Sequence, residues 1–269
     1  MSTTTEAATV LANAAFGDDP GRWPLPSATT PRDRWLRAVA AGGQGRYACA
    51  LAELSAIERS VASGPLLSLS LSTRASFMRQ LGGHNSARGA DGQAWAHSGG
   101  EDAADPEAPA DALIGLAADA LGVGRFALSA RLLQRAGSVV GEPAGRVTVR
   151  LAWVSAELAM MRGDGATAVT HAERGVKAAA GYPSARHAVK SDVVLAAALC
   201  SAGQPDRARV VADAALAATE KLGLVPLRWA LACLLADIGS AAHSPAQVGT
   251  IRDVSADTVR RRGGVWTGD

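Results

Sequence analysis

The chain has 269 residues, of which 48% are hydrophobic, 19% charged and only 4% aromatic. That length buries a sizeable core and excludes wholesale disorder, but the interior has to be built from Ala, Leu and Val with few rings. A net charge of +2, from 27 basic and 25 acidic residues, excludes an overall basic field for nucleic acid and an acidic one for charge sequestration.

The first thirty residues read as an N-terminal helix and a Pro-rich linker. MSTTTEAATVLANAAF lacks the positive n-region and sustained apolar run of a targeting segment, so a soluble cytoplasmic protein with no membrane contact is expected. Gly17 to Pro31 holds four prolines and is irregular. Strand signals are nearly absent, and residues 31–238 carry helical periodicity throughout, so the chain is all-α. Ser98 to Ala112, SGGEDAADPEAPADA, is acidic and apolar-poor and is expected to be a flexible loop. Residues 239–269 form a basic tail.

Within the helical region a pattern repeats. A turn glycine at positions 45, 82, 124, 163 and 203 is followed five residues on by Ala50, Ala87, Ser129, Ala168 or Ala208, with spacings of 37, 42, 39 and 40 residues. The glycine ends one helix in a left-handed conformation, and the small residue lets the next helix cross closely. In the last full unit Ala208, Val211, Ala212 and Ala215 recur at i, i+3, i+4, i+7, as one face of a second helix requires. Leu224 to Ile238 then reads as a further first helix without a partner, a cap on the stack.

Gly45, Tyr47, Ala50 and Leu54, and again Gly124, Phe126, Ser129, Leu133 and Ala136, resemble the tetratricopeptide (TPR) family, whose usual repeat is 34 residues. The resemblance implies a TPR-like α-solenoid of about five helix-turn-helix units plus a C-terminal capping helix. It also implies a groove lined by the first helix of each pair. Carried onto this sequence, the groove positions are Arg32, Trp35, Arg79, Arg150, Trp153, Glu157, Met160 and Lys190, with Ser76 beside Arg79. Such a lining suits an acidic-hydrophobic peptide, although Trp153 and Met160 equally suit gap-filling between repeats.

The remaining residue classes argue against chemistry. Cys49, Cys200 and Cys233 are far apart and set among apolar residues, as small buried hydrophobes would be, and no histidine stands at metal-ligand spacing. GQGRYA at Gly43 follows a helix and not a strand, which excludes the dinucleotide-binding reading, and no nucleophile elbow or zinc-protease motif occurs. No cofactor, metal or enzymatic activity is expected. Arg88 and Asp91, three apart in the most polar repeat, read as a helix-surface ion pair. Three lysines among the 27 basic residues, with abundant alanine, point to high-GC coding, as in many bacteria.

Val254 to Arg261, VSADTVRR, resembles the turn and recognition helix of LuxR-type helix-turn-helix regulators. That resemblance places Val248 and Val254 in a core, makes Ser255 an N-cap and directs Arg260, Arg261 and Arg262 toward DNA. The residues as a whole favour a non-enzymatic scaffold binding a protein or peptide partner, with DNA binding not expected. The alternative is a regulator whose repeat array senses a signal.

Overall fold

The computed structural model describes residues 2–140 and 145–267. Among the described residues there are thirteen helices and no strand: α1 (Ser2–Phe16), α2 (Pro31–Gly43), α3 (Tyr47–Ser60), α4 (Pro65–Gln80), α5 (His84–His97), α6 (Glu107–Gly122), α7 (Phe126–Val139), α8 (Arg146–Met161), α9 (Gly165–Ala180), α10 (Ala185–Ser201), α11 (Pro205–Lys221), α12 (Val225–Ile238) and α13 (Pro245–Arg261). From α2 onward they pack as successive antiparallel pairs. Even-numbered helices touch the next even-numbered helix, whereas each odd-numbered one lies against its own partner and the helix that follows it. The even-numbered helices therefore form an inner layer and the odd-numbered ones an outer layer.

The local chemistry of the pair is the same five times over. The turn glycines adopt φ of 73°, 89°, 75°, 77° and 72° at positions 45, 82, 124, 163 and 203. In each turn the amide after the glycine donates to a carbonyl five residues back: Arg46 to Ala41, Gly83 to Met78, Arg125 to Ala120, Asp164 to Ala159 and Gln204 to Leu199, all at 2.8–3.0 Å. This is the Schellman closure of the inner helix. Five residues beyond each glycine, Ala50, Ala87, Ser129, Ala168 and Ala208 are all 0% exposed at the helix crossings.

Three expectations are corrected. Residues 107–112 are not loop. They open α6, and Ala108, Ala110, Asp111 and Ala112 are buried, because the acidic residues of this stretch pair with arginines on α8 instead of facing water. Next, α12 has a partner: Ser244 caps α13, its hydroxyl accepting from the Gln247 amide while the Gln247 side chain accepts from the Ser244 amide. Val248 of α13 is buried against Leu231 and Leu235 of α12, making a sixth pair. Last, Cys49 is exposed and Cys200 and Cys233 are only partly buried, none of them a core residue.

The array also closes on itself. Beyond α13 the Arg262 carbonyl accepts from the Ala48 amide at 3.0 Å, and the Thr267 amide donates to the Leu81 carbonyl at 2.8 Å. Val259 of α13 sits in the core of the first pair. On the other side α1 packs on α2 and α10, and Gln44 donates to the carbonyls of Pro20 and Arg22. The first pair thus meets the fifth and the sixth.

Two measurements check this packing. Ala208→Leu should overpack the α10–α11 crossing and cost about 1–3 kcal/mol of stability; an unchanged midpoint would place position 208 outside the crossing. Deleting residues 244–269 should expose the first pair as well as the last, seen as faster amide exchange in α2 and α3.

Candidate functional site

Because the inner helices curve around a closed ring, their concave faces enclose a cavity of about 650 Å³. All six contribute, with Trp35 and Val39 from α2, Ser76 and Arg79 from α4, Asp111 and Leu121 from α6, Arg150 and Trp153 from α8, His187 and Lys190 from α10, and Trp229 from α12. Its size falls in the range of small-molecule and short-peptide pockets, roughly 300–1,000 Å³.

Seven of the eight groove positions named from the sequence line this wall: Trp35, Arg79, Arg150, Trp153, Glu157, Met160 and Lys190. Arg32 does not. It is exposed on the first turn of α2, its guanidinium 5.9 Å from the Trp35 ring, while Phe16 of α1 packs beside Trp35 from within, ring centroids 5.3 Å apart.

The two tryptophans have a second task. The Trp35 indole N–H donates to Thr73 Oγ1 of α4 at 3.0 Å, and that of Trp153 to Ser191 Oγ of α10 at 2.8 Å. Both bonds join one inner helix to the next across a sequence separation of 38 residues. Trp153 is 8% exposed and belongs to the core between α8, α9 and α10 as well as to the wall.

Sequence reading missed Phe16, Asp111, Arg146, Arg186, His187, Trp229 and Trp266, all of which line the cavity. Arg146 and Arg186 carry a legible signal. Positions 146, 150, 153, 157 and 160 form one helical stripe on α8, and Arg186 lies one turn before Lys190 on α10. Extending each stripe by a turn finds both. Trp266 follows α13 and reaches the wall because the ring closes, its ring tilted against that of Trp229 with 4.3 Å between centroids.

Charge dominates the polar part of the wall. Arg79 lies between Asp91 and Asp119, 2.9 Å from the latter, so Asp91 is not the surface partner of Arg88 but a fully buried anion. Burial pushes the Asp91 carboxyl up to about 6 against the pull of Arg79, and pushes Asp119 upward as well. Arg146 reaches Glu107 and Asp111, each at 2.9 Å, and Arg150 shares Asp111. Lys190 lies 3.5 Å from Glu157. Burial, then the neighbouring Arg79, bring Arg150 down to about 10. His187 is 1% exposed, stacked on Trp153 at 5.3 Å. Burial first, then Arg186, Arg146 and Arg150, hold its pKa well below 6.5.

The C-terminal arginines do not stand in a helix-turn-helix. Val254 to Arg261 is the second half of one uninterrupted helix, Ser255 is mid-helix with its hydroxyl donating to the Ile251 carbonyl at 2.7 Å, and Val254 is 57% exposed. Only Val248 takes the core position the resemblance gave it. The capping box at Ser244 starts the helix ten residues too early for a turn at 254. Arg260 pairs with Asp257 at 3.0 Å, Arg261 bonds Thr258 and Arg262 donates to the Gln44 carbonyl.

No family model matches the chain, and no curated protein matches it. Among solved structures it is similar to a Rap protein complexed with Competence and Sporulation Factor, with a TM-score of 0.65 at 15% identity, over 88% of this chain and 68% of that one. The fold is a TPR-like α-solenoid. At that identity the likeness is one of fold. Among the described residues, no helix is long and apolar enough to cross a membrane.

The buried imidazole gives a pH test. The unfolded His187 takes a proton near pH 6.5, whereas the folded ring resists it, so its contribution to stability is complete above 6.5 and is lost as pH falls. Between pH 7 and 5 the wild type should lose stability relative to His187→Phe, by at most about 1.4 kcal/mol per pH unit. A pH-independent difference in midpoint would mean the ring titrates normally.

Proposed function

We propose that this is a non-enzymatic binding protein that takes a protein or peptide segment into its central cavity. What carries the reading is the composition of the wall: inner helices of six successive pairs bring Trp, Met, Arg and Lys side chains to one enclosed space. A ligand gains an apolar surface and fixed polar partners there at once. The similar Rap protein, solved with Competence and Sporulation Factor, supports occupancy of such an array by a partner. Specificity lives in the lining and not in the fold, so the partner of that protein is not assigned to this chain. The unbroken α13 offers no support to the DNA-binding alternative, and binding to a defined operator is not expected.

Trp153 is a poor test residue, because its loss opens a cavity in the core at a cost of about 3–5 kcal/mol. Met160 and Lys190 are better. Both line the cavity while remaining partly exposed, and the Lys190–Glu157 pair is solvated enough to contribute little to stability. Met160→Ala with Lys190→Ala should abolish capture of the partner from a lysate of the source, read by mass spectrometry, with stability held within about 1 kcal/mol. Capture undiminished by the double substitution would move the binding surface out of the cavity.

A further inference from the structure

Resting on the reading of the cavity as a peptide site, we propose that the ligand brings a carboxylate, and that Arg186 is the residue that receives it. Five cationic side chains line the wall, and four of them already have acidic partners: Arg79 on Asp91 and Asp119, Arg146 on Glu107 and Asp111, Arg150 on Asp111, Lys190 on Glu157. Arg186 has none among the described residues; it is partly exposed, and its Nε is buried without a hydrogen-bond acceptor. A surface arginine in that state is solvated. Here the stem runs close along α2, its Cδ lying 2.9 Å from where a Cβ on Gly43 would sit.

The surroundings make this position a receptor and not a defect. Burial, then the like charge of Arg146, bring Arg186 down to about 10, still protonated at neutral pH. Two further donors on the wall lack acceptors, Arg79 Nη2 and Trp266 Nε1. A peptide's carboxylate and main-chain carbonyls are acceptors of the kind these unmatched donors lack. The planar fork of Arg186 matches a carboxylate in particular, while Met160 and Leu227 offer apolar surface to the rest of the segment.

The carboxylate has two sources, the chain end or an Asp or Glu side chain, and the experiment separates them. Immobilised full-length protein is offered three pools of random pentapeptides at fixed ionic strength: one with free C-termini and no Asp or Glu, one amidated with a single Asp or Glu, and one amidated with neither. The wild type should enrich one carboxylate-bearing pool over the neutral pool by about tenfold or more, the scale of one charge-assisted bond. Arg186→Gln should remove that preference while leaving the ligand-free thermal midpoint within error, because no acid loses a partner. Arg186→Lys should restore part of the preference. Enrichment without a carboxylate preference, or a preference that survives Arg186→Gln, would overturn the proposal and leave the peptide site intact. No enrichment from any pool would overturn the peptide reading itself. A large drop in the midpoint of both Arg186 variants would assign the residue to the scaffold.

Discussion

Two antiparallel helices joined by a three-residue turn pack closely only where one of them presents almost no side chain, and this chain meets that constraint five times with the same local device. A glycine at φ between 72° and 89° stops the inner helix, the next amide bonds back to its last turn, and an Ala or Ser five residues later sits at the crossing with 0% exposure. Such crossings bring backbones together and leave little volume for rings between partners. The bulky side chains are displaced to the inner faces, where Trp35, Trp153 and Trp229 stand on three different inner helices. Alanine-rich packing on the outside and a crowded wall on the inside are two consequences of one constraint.

A second consequence follows from the curvature. A stack of repeats is ordinarily one-dimensional, each unit touching only its neighbours. Here the first pair meets both the fifth and the sixth, through α1 and the linker on one side and residues 262–267 on the other. Closure narrows an open groove into a deep, partly open cavity, and it lowers the effective dielectric felt by the charges on the wall. Burial is the first cause of the downward shifts of Arg150 and His187, and neighbouring arginines are the next. The termini are therefore part of the site although they lie outside the repeats.

How much of this was legible in the residues follows from range. The turn glycines and the small residues beyond them are local, and the TPR resemblance they carry implies seven of the side chains that line the wall. The start of α6 was hidden because EAPADA looks like a solvated acidic loop until its partners are known: Glu107 and Asp111 are matched by Arg146, 39 and 35 residues away. The same blindness applied to Asp91, whose partner Arg79 lies on the preceding helix and not one turn along its own. The resemblance at VSADTVRR misled for the opposite reason. A short segment that fits a recognition helix also fits the second half of any amphipathic helix, and the cap that decides between them, Ser244, stands ten residues upstream.

The distribution of charge on the wall then sets what the cavity can accept. Formal charges nearly cancel when all partners are counted, but the partners are not equally placed. Of the acids that pair with four of the five lining cations, only Asp111 and Glu157 face the cavity themselves, while Asp91, Asp119 and Glu107 stand behind the arginines. Interaction energy scales inversely with distance and with the local dielectric, so a group inside the cavity feels the guanidinium layer before the carboxylates behind it. Asp111, shared between Arg146 and Arg150, neutralises at most one of the two. Buried ion pairs of this kind add little net stability compared with apolar packing. What they do hold is position: Arg79 and Arg146 are each fixed by an acid behind the wall, Asp91 and Asp119 for the one and Glu107 for the other, while Arg150 is held by Asp111 within the wall.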